Sequence, residues 1–196
     1  MTDSPISRRA SHVVLSAVRQ VDPDGSKDTE ARFRVIFETG FDYIWNAIRR
    51  LGVAPSDLED ISHDVLLDVY RKIDTYDPER PLKPWLFAFS FRAASEYRRR
   101  RRVRGEVSES VEVVDTSPLV EERLVEHENR ALVAAALESL DLDRRAVFVL
   151  HDLDDVAVPE IARALDIPLN TAYSRLRVAR ERFVKAITRL RGQEVR

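Results

Sequence analysis

Apolar side chains in this chain recur at three- and four-residue steps through one segment after another, a period that commits most of the chain to amphipathic helices. From Glu30 to Leu51 the stripe is Phe33, Phe37, Phe41, Ile44, Trp45 and Ile48, with Gly52 as the stop. Ser56 is placed to cap a second helix, Glu59 completing a capping box, and the stripe behind it is Leu58, Ile61, Val65, Val69 and Ile73. The stretch Tyr76-Asp77-Pro78-Glu79-Arg80-Pro81 reads as a turn, after which Pro84 suits the first position of a third helix. Further on, Leu124, Leu132, Val133, Ala136, Leu137 and Leu140 keep helical spacing, and Asp141 or Asp143 can cap a short helix from Arg144 to Leu150. Only five glycines in 196 residues argue against a turn-rich β fold. The expectation is an all-α chain of two small helical domains joined by an acidic linker.

Composition removes several chemistries. There is no cysteine, hence no disulfide, thiolate metal site or thiol nucleophile, and a reducing compartment fits. The longest apolar stretches, such as Leu132 to Leu137, fall far below the roughly 20 residues that span a bilayer, so no membrane insertion is expected. Arg8-Arg9 before Val13-Val14-Leu15 imitates an export signal, but the apolar core is too short and no cleavage pattern follows. His151-Asp152-Leu153-Asp154-Asp155 imitates a metal cluster, yet lacks the glycine and distal glutamate of a calcium loop and reads as a polar turn. No nucleophile–base constellation or catalytic carboxylate pair stands out, so neither an enzyme nor a cofactor is expected.

The net charge of −2, from 32 basic and 34 acidic residues, points by itself to no polyanionic partner. Its distribution says otherwise. Residues 92 to 104 hold seven arginines against Glu96, and residues 161 to 196 hold nine basic and three acidic groups. Between them, residues 105 to 160 hold four basic and 15 acidic groups. Of the 15 aromatics, 12 precede residue 104. The first basic patch therefore adjoins rings, in Trp85-Leu86-Phe87-Ala88-Phe89-Ser90-Phe91, and the second does not. Basic side chains beside exposed rings suit a phosphate backbone with unpaired bases, although a solvated helix end or an acidic protein partner draws on the same residues.

The second patch has helix-turn-helix proportions: a short helix at Val158 to Leu165, a turn at Asp166-Ile167-Pro168, and a longer helix opening at Leu169. Ala162, Leu165, Ile167, Ala172 and Leu176 would pack the pair. Asn170, Thr171, Tyr173, Ser174, Arg175 and Arg177 would sit at the exposed start of the second helix, where such motifs meet the major groove. A plain helical hairpin is the alternative. Asp60, Asp64 and Asp68, four residues apart, suggest a basic partner or a solvated face.

With these residues in view, the chain resembles a bacterial RNA polymerase sigma factor of the sigma-70 family, specifically the small extracytoplasmic-function type. Leu58-Glu59-Asp60-Ile61-Ser62-His63-Asp64-Val65-Leu66-Leu67 resembles the family's core-polymerase-binding helix. Trp85-Leu86 with the aromatic helix and arginine run resembles its promoter-melting, minus-ten-reading segment. Glu160-Ile161-Ala162 through Arg180 resembles its minus-thirty-five-reading helix-turn-helix.

The resemblance implies a cytoplasmic transcription initiation factor whose partners are core RNA polymerase, promoter DNA and an anti-sigma factor. It implies an extension over 1–29, a region 2-like domain over 30–104, a linker over 105–130 and a region 4-like domain over 131–196. Asp60, His63, Asp64, Leu67 and Asp68 would meet polymerase. Trp85, Phe87, Phe91, Arg92, Arg98, Arg99, Arg101 and Arg102 would hold the opened minus-ten strand. Asn170, Thr171, Tyr173, Ser174, Arg175, Arg177 and Arg180 would read the minus-thirty-five duplex. Three positions depart from the pattern: His63 where Gln is frequent, Arg92 where Asn is frequent, and Val178 where Arg is usual. A stand-alone helix-turn-helix repressor or activator with a helical ligand-binding or dimerisation domain is the competing reading. The acidic middle is expected to shield the basic faces of the free factor.

Overall fold

A computed structural model describes residues 27–105 and 121–194. The extension over residues 1–26 and most of the acidic linker, 106–120, lie outside the described residues, as do the export-like stretch and the shielding expected of the linker. The described residues are helical, with no strand among them. Seven α-helices follow in order: α1 (Lys27–Arg50), α2 (Leu58–Arg71), α3 (Leu82–Val103), α4 (Glu121–Glu138), α5 (Leu142–Phe148), α6 (Val158–Ala164) and α7 (Leu169–Glu194). The chain divides into two compact units, one built on α1, α2 and most of α3, the other on α4 to α7.

In the first unit the expected α1 stripe forms the core. Phe33, Phe37, Phe41, Ile44 and Ile48 are buried, and Trp45 is half-buried. Their rings run along the helix, with Phe33 and Phe37 centred 6.2 Å apart and Phe37 and Phe41 stacked at 5.4 Å. Tyr70 of α2 meets Phe33 edge-on at 5.3 Å. Gly40 lets α3 approach: a Cβ there would lie 2.6 Å from Leu86 Cδ1. Gly52, with φ 92°, turns the chain after α1 in the left-handed region that favours glycine.

Two local expectations are corrected. Ser56 does not cap α2; it lies inside a 3₁₀ turn, Pro55–Asp57, and Asp57 takes the N-cap position without a side-chain capping bond. The Asp57 carboxylate instead accepts the Tyr97 hydroxyl of α3 at 2.6 Å. Pro84 is the third residue of α3 and not the first, a position that still lacks an intrahelical acceptor for the missing N–H.

In the second unit α7 is the hub, packing on α4, α5 and α6. Ala172, Leu176, Ala179 and Ala186 form its buried face, the small residues allowing close approach, and Phe183 meets Phe148 at 4.5 Å. Asp141, and not Asp143, caps α5, its Oδ1 accepting the Arg144 N–H at 3.1 Å. The helix accordingly begins earlier than expected and gives way to a π turn, Val149–Leu153. The π turn takes Val149 and Leu150, both buried, from the end of the expected helix and His151, Asp152 and Leu153 from the stretch expected to be a polar turn. Asp155, at φ 56°, closes it, and Val156 N–H reaches Leu150 O at 2.9 Å.

Candidate functional site

Three surfaces carry the residues of interest. On α2, a stripe of four-residue period buries Leu58, Ser62, Val65, Leu66, Val69 and Tyr70, which turns the opposite side to solvent. Asp60, Asp64 and Asp68 are all exposed there, with His63 and Leu67 half-buried beside them. Only Asp68 is shown with a cation, Arg71 at 3.2 Å one turn on in the same helix. His63 Nε2 is buried and makes no hydrogen bond.

The second surface lies on α3. Trp85 is half-buried, its ring between Tyr76 at 5.0 Å and Phe89 at 4.9 Å. Arg92 is exposed and its guanidinium lies over the Phe89 ring, 4.5 Å from the centroid, a cation–π contact that holds the charge beside the cluster. Phe91 is half-buried. Phe87 is the correction: it is 0% exposed, among the largest fully buried side chains, so its ring is core and offers no face to a base. Four aromatics in seven residues exceed one stripe, and the excess is divided, with Phe87 and Phe89 inward and Trp85 and Phe91 toward the surface. Downstream, Arg99, Arg100, Arg102 and Arg104 are exposed and Arg98 and Arg101 half-buried. Their cations also complement the negative end of the α3 dipole.

The third surface is the start of α7. The Asp166-Ile167-Pro168 turn forms where expected: Asp166 takes φ 51°, which Asp tolerates better than most residues, and Ile167 N–H bonds Ala162 O at 2.9 Å. Asn170, Tyr173, Ser174, Arg177 and Arg180 are exposed, Thr171 and Arg175 half-buried. Tyr173, at 53% exposure, is a large ring left in solvent at the head of the helix. Among the cations, Arg177 pairs with Glu181 at 2.8 Å along its own helix. Arg175 pairs with Asp143 at 2.8 Å and Arg180 with Asp152 at 2.6 Å. Hydrogen bonding to Asp152 raises the Arg180 pKa above its ordinary value.

Sequence reasoning missed Tyr76, Phe89, Asp143 and Asp152 as parts of these surfaces. The Phe89–Arg92 step was readable from its three-residue spacing on a helix. Asp143 and Asp152 stand 32 and 28 residues from their partners, where no local signal exists. Among the described residues no group of His, Asp and Glu could hold a metal ion, and no helix is long and apolar enough to cross a membrane.

Two family models match, in the order the surfaces occur. Residues 37–104 match sigma-70 region 2 and residues 130–183 match sigma-70 region 4, together more than half of the chain. The chain belongs to the sigma-70 family. Its relatives include the RNA polymerase sigma factor CnrH of Cupriavidus metallidurans, 28% identical over 70% of this chain and 76% of that protein. The ECF RNA polymerase sigma factor SigX of Bacillus subtilis is 25% identical over 85% of this chain and 91% of its own. The ECF RNA polymerase sigma-E factor of Escherichia coli is 27% identical over 66% of this chain and 73% of its own.

Two solved structures share the fold. CnrH in complex with the cytosolic domain of CnrY has a TM-score of 0.57 at 22% identity, covering 91% of this chain and 97% of that one. The sigma factor RpoE in complex with the anti-sigma factor NepR from Bartonella quintana has a TM-score of 0.63 at 18% identity, covering 83% and 98%. The sigma-70 chain is therefore a transcription initiation factor of the extracytoplasmic-function type. The stand-alone repressor is not favoured, since it has no use for region 2.

Proposed function

We propose that this sigma factor binds core RNA polymerase through the exposed Asp60, Asp64 and Asp68 face of α2, with His63 and Leu67 beside it. The Trp85, Phe91 and Arg92 surface of α3 then takes bases of the opened minus-ten strand, while Arg98, Arg99, Arg101 and Arg102 hold its phosphates. The start of α7 enters the minus-thirty-five major groove, where Asn170, Thr171, Tyr173, Ser174, Arg175 and Arg177 meet base edges and backbone. In this reading the chain divides into an extension over 1–29, a region 2-like domain over 30–104, a linker over 105–130 and a region 4-like domain over 131–196. The protein performs no bond chemistry; strand separation is driven by stacking and phosphate contacts that exist only with the opened strand. It acts in the cytoplasm with polymerase. An anti-sigma factor is a third partner, a reading supported by the two structural neighbours solved with CnrY and NepR.

The observation that carries this reading is the pairing of unlike basic surfaces: rings and a cation together on α3, and polar residues with few rings at the head of α7. The first suits unpaired bases and the second duplex. Purified protein mixed with core polymerase is expected to start transcription from a subset of promoters, with binding that falls as salt rises. Failure to co-purify with core polymerase at low salt would refute it.

A further inference from the structure

Two acids on other elements, Asp143 and Asp152, meet cations of α7 and set them apart from Arg177. Arg177 bonds only along α7, whereas Arg175 and Arg180 reach off it. Arg175 Nη2 donates to Asp143 Oδ2 at 2.8 Å, in the first turn of α5. Arg180 Nε lies 3.0 Å from both oxygens of Asp152, and its Nη2 donates to Oδ1 at 2.6 Å. The same Nη2 is 3.1 Å from His151 Nδ1. Asp152 and His151 belong to the π turn after α5, so the two acids stand at the two ends of the helix against which α7 packs. π turns inside helices are rare and recur at functional sites.

Position around α7 separates the same two sets. At about 100° per residue, Tyr173, Arg177, Asn170 and Ser174 share one arc of roughly 100°. Arg175 lies about 100° beyond Ser174, next to the buried Ala172 and Ala179, and Arg180 lies two turns along from Tyr173 at the arc's other edge. The Asp152 side chain is 24% exposed and the Arg180 side chain 49%, so the pair lies at the surface and its hold comes from the forked geometry, two guanidinium nitrogens on one carboxylate.

We propose that Asp143–Arg175 and Asp152–Arg180 are two brackets that set the rotation and tilt of the recognition helix on α5. Arg175 and Arg180 are then positioning residues that aim Asn170, Tyr173, Ser174 and Arg177 at the DNA. This rests on the reading that the start of α7 enters the major groove, and it moves Arg180, and the main duty of Arg175, out of the set that meets DNA. The contrary view is that both arginines grip phosphates and the acids only occupy them beforehand. The two views differ in sign. If Asp152 competes with phosphate, Asp152→Asn frees a cation, removes a repelling charge and tightens promoter binding. If Asp152 is a bracket, the same change loosens the helix and weakens binding although the charge now favours DNA.

The test uses holoenzyme reconstituted from the full chain and core polymerase, with promoter binding titrated against salt. Asp152→Asn and Arg180→Gln are each expected to weaken binding on the order of tenfold, the scale of one good base contact, with the double variant no worse than either single. The salt slope stays at the wild-type value, and the swap Asp152→Arg with Arg180→Asp recovers most of the loss. Tighter binding by Asp152→Asn, a slope reduced by about one in Arg180→Gln, or no change in either would overturn the brackets. Asp143→Asn, at the opposite end of α5, provides an independent arm with the same expected sign should the Asp152 variants melt early. A wild-type holoenzyme without specific promoter binding would overturn the groove reading, and this inference with it; a working wild type with indifferent variants overturns the brackets alone.

Discussion

Trp85 and Phe87 are two residues apart, both aromatic and both readable from sequence as base-stacking rings, yet they should fail in different assays. Phe87 is 0% exposed, so Phe87→Ala removes a ring wholly from the core and costs about 3–5 kcal/mol. At about 4–8 °C per kcal/mol for a domain of this size, Tm should fall by well over 10 °C. Trp85 is half-buried against Tyr76 and Phe89. Trp85→Ala forfeits two aromatic pairs of about 0.5–1.5 kcal/mol each, so its loss of Tm is the smaller. It also removes one base-stacking platform, about 1–3 kcal/mol, or roughly 5- to 150-fold in the equilibrium between closed and open promoter. Thermal melts of the full chain, and fluorescence of 2-aminopurine placed in the melted minus-ten strand with reconstituted holoenzyme, read the two effects separately. Per folded molecule, Trp85→Ala should be the worse in opening and Phe87→Ala near wild type. A Phe87→Ala protein with wild-type Tm and defective opening would show that its ring works at the surface. A Trp85→Ala protein with intact opening would show that no base stacks there.

Asp64→Lys should weaken polymerase binding by at least tenfold, because a like charge then faces the basic partner. The same change relieves repulsion from Asp60 and Asp68 by a few tenths of a kcal/mol each, so Tm holds or rises; a matching loss of Tm would mean the residue is structural. Gly40→Ala places a methyl 2.6 Å from Cδ1 of the buried Leu86, an overpacking cost of about 1–3 kcal/mol that the better helix propensity of Ala offsets by about 1 kcal/mol; chemical denaturation should show a net loss of about 1 kcal/mol, with polymerase affinity per folded molecule unchanged. Burial pushes the Asp141 carboxyl up, but the Arg144 backbone and side-chain hydrogen bonds and the Arg144 and Arg182 charges outweigh it, leaving the pKa below its ordinary value. A carboxylate so lowered contributes stability above its unfolded pKa of about 3.9 and loses it as pH falls through the folded value. Asp141→Ala should therefore cost about 0.5–2 kcal/mol at pH 7, a gap that closes below about pH 4 in melts run across that range.

The helices were legible because burial in each unit follows one stripe per helix, and period alone identifies a stripe. Phe33, Phe37, Phe41, Ile44 and Ile48 are inside because three- and four-residue steps leave them no other side. Caps were legible only as alternatives. Ser56 has the better sequence for a capping box, but Pro55 opens a 3₁₀ turn that leaves it one residue short of the N-cap, and Asp57 there serves Tyr97 instead. The π turn had no sequence signal: His151 to Asp155 is polar enough to read as a loop, and the buried Val149 and Leu150 beneath it decide otherwise. Within the α3 surface, the sequence located the cluster but could not divide its rings. A 22-residue helix packed on one side needs some of four neighbouring aromatics inward, and the choice of Phe87 over Trp85 depends on partners such as Tyr76, outside the helix.

Counting charge along the chain treats every arginine as available to a phosphate, and the second unit shows why that count misleads. Asp141, Asp143 and Asp152 belong to the acidic middle of the sequence, and they meet Arg144, Arg182, Arg175 and Arg180. Part of the level total is therefore internal pairing that builds the region 4 unit. In the proposed docking, the arc offered to the major groove is Asn170, Tyr173 and Ser174 with Arg177 as its one cation, a surface richer in neutral hydrogen-bonding groups than in charge. Such a surface discriminates base edges better than it attracts a backbone. The seven arginines of residues 92 to 104, set against Glu96, have the opposite balance, which in the proposed docking supplies attraction with little means of reading sequence. In the proposed docking, a net charge near zero and a DNA partner are compatible because attraction and reading are assigned to different surfaces, the end of α3 and the head of α7, and attraction alone needs unbalanced charge.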